Sequence, residues 1–267
     1  MSYGFEFYND SGNIIFSSLH RPVRLVASGT FAMTAANFGG MYPGAVLSNG
    51  GALISGLSSN TGYLIALNIP VGQTFAGDIV FNPYSQVARR EYGYQSAPAT
   101  IGSGQYIINA QGITTASIGY RLYTSTPLTN VENFGIQNFD ESGNLLYTFD
   151  RNLLRVRQSV SPPTGSSWRI ISNPRQAELR SRRFVFNHTA DWVLLNFPLW
   201  KSFGYDPNWF EEIRHVGIHR RSSTTYVLRY NSNWPSATRS QADIDWFINN
   251  QTSSFYSTAP LTLMSVE

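Results

Sequence analysis

His215 and His219 stand four residues apart around Val216-Gly217-Ile218, with Glu211 and Glu212 just upstream. Positions i and i+4 share a face on a helix and also on a strand, so either element could turn both imidazoles toward one cation. A zinc-binding helix with two histidines needs Glu directly after the first, as general base, and Val216 occupies that place. Gly217 weakens a helix further, and residues 1–131 hold no matching pair. The expectation is two solvated histidines on a basic strand, with no metal and no cofactor.

Arg175, Arg180, Arg182, Arg183, Arg220 and Arg221 could gather into an anion-binding patch for phosphate, acidic polysaccharide or lipopolysaccharide. Asp and Glu are mixed through the same half, which points instead to a solvated sheet edge where cations deter unwanted pairing. Tyr92, Tyr94, Trp209 and Trp234 lie near turn residues, and their π-faces could stack on sugar rings beside Arg220 and Arg221. The same aromatic types also anchor cores and protein interfaces. Nucleophilic chemistry has little to work with. The absence of cysteine removes thiolate catalysis, disulfides and thiolate metal sites together. There is no Gly-x-Ser-x-Gly elbow, and His20 is the single histidine of residues 1–131. A glycosidase carboxylate pair leaves no sequence signature and stays open, but the chain is read as non-enzymatic.

The elements that must carry these residues are strands. Tyr3-Gly4-Phe5-Glu6-Phe7-Tyr8-Asn9-Asp10-Ser11-Gly12-Asn13 recurs as Phe134-Gly135-Ile136-Gln137-Asn138-Phe139-Asp140-Glu141-Ser142-Gly143-Asn144, an offset of 131 from Gly4 to Gly135. Each copy alternates at period two, closes on Ser-Gly-Asn and returns through Ile14-Ile15-Phe16 or Leu145-Leu146-Tyr147. Gly and Asn tolerate positive φ, so both copies read as β-hairpins. Val23-Arg24-Leu25-Val26 then has its twin in Leu154-Arg155-Val156. Tyr63 to Pro70 resembles Trp192 to Pro198 at an offset of 128, counted between the prolines. Gln105 to Gln111 matches Asp245 to Gln251, and Pro127-Leu128-Thr129 matches Pro260-Leu261-Thr262. The constant order of these matches implies a tandem duplication with its seam near Thr129–Val131.

Further alternating runs at Asp78–Phe81, Ile118–Tyr123, Arg183–Phe186 and Thr225–Tyr230 add strands. Asp206-Pro207 is a helix-start signal and predicts one short helical turn over Trp209–Ile213. The expected fold is all-β: two tandem, duplicated β-sandwich-like domains, 1–131 and 132–267, with at most one short helix. From Leu25 to Gly77 there is no Asp, Glu, Lys, Arg or His. Its Gly-rich part, Thr30 to Ser59, predicts loops packed on another subunit or another protein of an assembly, with Phe31, Met33, Phe38, Met41 and Tyr42 as the assembly interface and a lipid interface as the minor alternative.

Charge narrows the partners. Residues 1–131 carry five cations and four anions, and the rest carry fourteen and twelve, so the net +3 is too small for nucleic-acid binding. Of the 19 cations only Lys201 is lysine, a bias toward multi-donor protein contacts. No basic and apolar leader opens the chain, and the longest apolar run, Tyr63 to Leu67, is too short for a bilayer. A membrane is therefore not an expected partner.

The opening run Tyr3 to Phe16 resembles the start of small virion structural proteins of tailed bacteriophages, which begin with Tyr-Gly, an alternating run and a Ser-Gly turn. The likeness covers Tyr3 to Val26 and Phe134 to Val156; the second copy departs from it at Asn138 and lacks Tyr before Gly135. The resemblance implies a structural role at the tail tip or baseplate, in assembly or host contact. Implied partners are other tail proteins and further copies of the chain within the virion. The rival reading is a carbohydrate-binding module for a host surface glycan.

Overall fold

The computed structural model describes residues 6–8, 14–17, 23–32, 34–36, 47–54, 63–75, 79–80, 106–112, 117–125, 137–139, 145–148, 153–165, 167–171, 176–197, 199–206, 210–232, 256 and 260–267. Every named element in them is a β-strand, and every pairing is antiparallel. The first ten are β1 (Glu6–Tyr8), β2 (Ile14–Ser17), β3 (Arg24–Ala32), β4 (Thr34–Ala36), β5 (Leu47–Ile54), β6 (Leu64–Asn68), β7 (Thr74–Phe75), β8 (Ile79–Val80), β9 (Tyr106–Gly112) and β10 (Ser117–Thr124). The second ten are β11 (Gln137–Phe139), β12 (Leu145–Thr148), β13 (Val156–Val160), β14 (Trp168–Ile170), β15 (Gln176–Val185), β16 (Trp192–Leu195), β17 (Trp200–Asp206), β18 (Phe210–Arg220), β19 (Thr225–Ser232) and β20 (Leu263–Val266).

Both hairpins form, and they share one register. Glu6 faces Ser17, Phe7 faces Phe16 and Tyr8 faces Ile14, with a bulge between Phe7 and Tyr8. Gln137 faces Thr148, Asn138 faces Tyr147 and Phe139 faces Leu145, with a bulge between Asn138 and Phe139. Every one of these residues finds its counterpart 131 positions on, the bulge included.

The central sheet has six strands in the order β13-β20-β16-β6-β10-β3, three from each half of the chain. Its β10–β3 ladder skips Val26, and its β13–β20 ladder skips Arg157, again 131 positions apart. The halves meet at β6 and β16, where Ala66 faces Leu194 and Leu67 faces Val193. The outermost strands also touch: Arg24 bridges Leu153, and Leu154 N donates to Val23 O at 2.8 Å. The sheet thus closes on itself at that end. The division expected at 131/132 lies outside the described residues.

A second sheet runs β14-β15-β19-β18-β17, with β7 also on β18, and a third runs β4-β5-β9-β8. Leu67, Ile118, Leu122, Val193 and Leu263 of the central sheet pack with Leu179, Phe184, Ile218, Tyr226 and Leu228 of the second in one buried core. That is the sandwich layer. The central sheet's opposite face holds a smaller cluster of Ala66, Tyr123, Leu194 and Val266, with Val23, Leu154, Trp192 and Met264 against it. Burial on both faces explains why β6 and β10 read as nearly continuous apolar runs rather than alternating ones.

Two expectations are corrected here. Phe210 to Ile213 belong to the eleven-residue β18, not to a helical turn. Ladders with β17 and β19 on either side satisfy that backbone and override a local start signal. The Gly-rich stretch is also not loop throughout. β3 runs on to Ala32, and Gly50 and Gly51 sit mid-strand in β5, paired with Ala110 and Asn109 of β9.

Candidate functional site

Polar side chains are drawn inside where β7 of the first half lies on β18 of the second. The chain leaves β6 through Pro70-Val71-Gly72-Gln73, where Gln73 N donates to Pro70 O at 3.0 Å and Gly72 has φ of +85°. A four-residue turn opened by Pro70 whose third residue is left-handed is type II, and Gly72 takes that place without strain. The turn aims Gly72 N at Arg220 O, 2.7 Å away, and lets Arg220 N reach Gln73 O at 3.0 Å. Thr74 then faces His219 and Phe75 faces Ile218.

His219 is 4 % exposed, and its Nδ1 lies 3.0 Å from Thr74 Oγ1. Burial, reinforced by the positive charge of Arg229, pushes its pKa down to about 4. The ring is therefore neutral, and with its proton on Nε2 it accepts a hydrogen bond from the Thr74 hydroxyl. Arg220 is buried as well. It donates from one nitrogen to Ile69 O at 3.0 Å and from another to Asp191 Oδ1 at 2.6 Å, and its guanidinium lies over the Tyr226 ring. Beside them Glu178, 3 % exposed, takes Arg229 at 2.6 Å and Arg221 at 3.5 Å. A charge taken out of water needs such partners, and each of these has one.

A second constellation lies on the central sheet. His188 Nε2 is 2.9 Å from Ser265 Oγ, and its Nδ1 is 2.8 Å from Asn187 Oδ1. Hydroxyl, imidazole and orienting amide in that order have the outline of a nucleophile, base and positioner. Ser265 is 1 % exposed, however, and its hydroxyl also faces Gln158 O at 3.4 Å. An acyl group has no approach to it. The trio is positioned to tie the 187–188 bend to β20 and β13.

The residues singled out in the sequence are dispersed. His215 lies in β18 opposite Lys201 and Asn231, and the expectation of two solvated histidines fails at His219, which β7 covers. No metal-capable cluster of acids and histidines occurs among the described residues. Arg182 is fully buried and donates to the Tyr256 carbonyl, Arg180 is half-buried, and Arg183 is exposed. Arg220 faces inward, so of the Arg220–Arg221 pair only Arg221, 45 % exposed, meets solvent. Phe31 stands in β3 opposite Ile118. Arg175, Met33, Phe38, Met41, Tyr42, Tyr92, Tyr94, Trp209 and Trp234 lie outside the described residues.

Sequence reading missed Thr74, Glu178, Asp191, His188 and Ser265. Thr74 and His219 are 145 apart and Ser265 and His188 are 77 apart, with no local spacing to mark either pair. No helix among the described residues is long and apolar enough to cross a membrane. Comparison of the chain with family models, curated proteins and solved structures finds no match.

Proposed function

We propose that the chain is a non-enzymatic structural component of a bacteriophage virion, placed at the tail tip or baseplate and acting in assembly or host contact. The observation that carries this reading is the repeat. Among the described residues each half contributes ten strands, and the hairpins, the central ladders and their bulges follow one plan in both. A chain with two like halves offers two like surfaces, which suits a particle built from repeated subunits. The opening hairpin that resembles tailed-phage virion proteins is part of that repeated plan. Its buried charges are spent on internal ties, Arg220 to Asp191 and Arg229 to Glu178, which favours a rigid part over a reactive one.

Its partners would be other tail proteins and further copies of itself. The test is to purify particles of the phage that encodes the chain, identify it by mass spectrometry and place it in electron density. Stoichiometric presence at the tail end is the expected result. Absence from washed, infectious particles would overturn the reading.

A further inference from the structure

The central sheet reads the same from both ends. β13, β20 and β16 stand to one side as β3, β10 and β6 stand to the other. Ladder by ladder, Ile65 with Leu122 corresponds to Val193 with Ser265, and Leu64 with Tyr123 to Trp192 with Val266. The offset is 128 between β6 and β16 and 143 between β10 and β20. A two-fold axis therefore passes through the β6–β16 ladder, and it falls on the one pair whose members are each other's equivalents, Ala66 and Leu194. The axis leaves through a second such pair, Val23 and Leu154, which stand at the hairpin offset of 131 and are hydrogen-bonded to each other.

Equivalent positions on this axis hold unlike residues. Ala66 faces Leu194, both are buried, and both belong to the cluster on that face of the sheet. Two first halves paired in this way would set Ala against Ala and leave a void. Two second halves would set Leu against Leu in the same space. Both changes are unfavourable in a close-packed interior. The neighbouring positions repeat the difference. Trp192 reaches from the second half onto β10 of the first, where its ring lies 4.1 Å from the Arg121 guanidinium and 3.0 Å from where a Cβ on Gly119 would stand. The equivalents of Trp192, Arg121 and Gly119 are Leu64, Met264 and Thr262, with neither a large ring nor a cation nor a clear seat.

We propose that the chain is a fused heterodimer: the β6–β10 surface of the first half is a binding surface whose partner is the β16–β20 surface of the second. Ala66, Gly119 and Arg121 on one side, with Leu194 and Trp192 on the other, set that choice and reject like halves.

Two measurements test it on the full chain. In the first, a protease site is inserted at the seam near residues 129–131 and the folded protein is cut. The fragments are expected to stay together as one-to-one pairs in native mass spectrometry and to unfold in a single transition. Separation into two folded monomers, or re-sorting into pairs of like halves, would each overturn the proposal. In the second, Ala66→Leu and Leu194→Ala are made singly and together in the uncut chain. Each single change should lower the denaturant midpoint, and the exchanged pair should regain most of the combined loss, as coupled neighbours do. If the pair loses as much as the two single changes added together, the axis residues do not recognise each other and the assignment fails. The exchange decides the matter even where the cut protein precipitates.

Discussion

His219 Nδ1 and Thr74 Oγ1 lie 3.0 Å apart and come from opposite halves of the chain. Their contact makes stability depend on pH through a group that must stay neutral. The folded ring has its pKa lowered from the ordinary 6.5 to about 4, so the folded chain refuses a proton that the unfolded chain accepts. Stability from this group is full above 6.5 and is lost as pH falls toward 4, by up to about 1.4 kcal/mol per pH unit. Below about 4 both states are protonated and the loss levels off. Urea midpoints at about pH 7.5 and about pH 4.5 should therefore diverge more in the native chain than in His219→Gln. Equal divergence would show that His219 does not carry the effect.

Gly72 offers a test free of steric argument. Nothing lies within 4 Å of where its Cβ would stand, yet its φ is +85°. Gly72→Ala should cost about 1 kcal/mol through backbone strain alone, and Gly72→Asn less, since Asn tolerates that region. A thermal melt of both variants checks the order; an Ala variant as stable as the native chain would place the turn in another conformation.

Glu178 is the buried anion between Arg229 and Arg221. Glu178→Gln strands the largely buried Arg229 and should cost about 3–5 kcal/mol. Arg221, 45 % exposed, contributes through solvent-screened charge, and Arg221→Ala should cost under about 1 kcal/mol. Chemical denaturation of the two single variants gives both numbers. Similar losses would mean that the 3.5 Å contact matters as much as the 2.6 Å one.

What was legible in the sequence follows physical range. The hairpins are written locally, by alternation and a Ser-Gly-Asn turn, and they were readable down to the offset. The β6–β16 likeness was readable because its apolar run ends in Asn, an apolar residue and Pro in both copies. That these two strands pair with each other was not, since pairing between residues 128 apart is fixed by what each sheet face buries. The match of Pro127-Leu128-Thr129 with Pro260-Leu261-Thr262 rests on residues 127–129, which lie outside the described residues. The ladders equate β20 with β10, where Arg121 and Leu122 correspond to Met264 and Ser265 and the likeness has been lost. β5 pairs β9 as β15 pairs β19, while the run from Asp245 to Gln251 lies outside the described residues. Burial of His219 and Arg220 was hidden because the two-residue strand that covers them is drawn from the other half.

Ser265 and His188 carry the last prediction, because their geometry alone would suggest a hydrolase. A serine nucleophile must meet both its base and a substrate carbon, with donors placed for the oxyanion. Ser265 meets its base at 2.9 Å but is 1 % exposed, inside the β13–β20–β16 ladders. Its hydroxyl is held between an imidazole and the Gln158 carbonyl, both of which serve a structural hydrogen bond equally well. A fluorophosphonate probe should therefore leave the folded chain unlabelled. Ser265→Ala should cost about 1–3 kcal/mol in stability by leaving the half-buried His188 short of a partner, and His188→Ala should cost a similar amount. Because the two side chains share one contact, the double variant should lose less than the two single variants combined. Covalent labelling that disappears in Ser265→Ala would instead show that the hydroxyl is reached by substrate, and the non-enzymatic reading would fall with it.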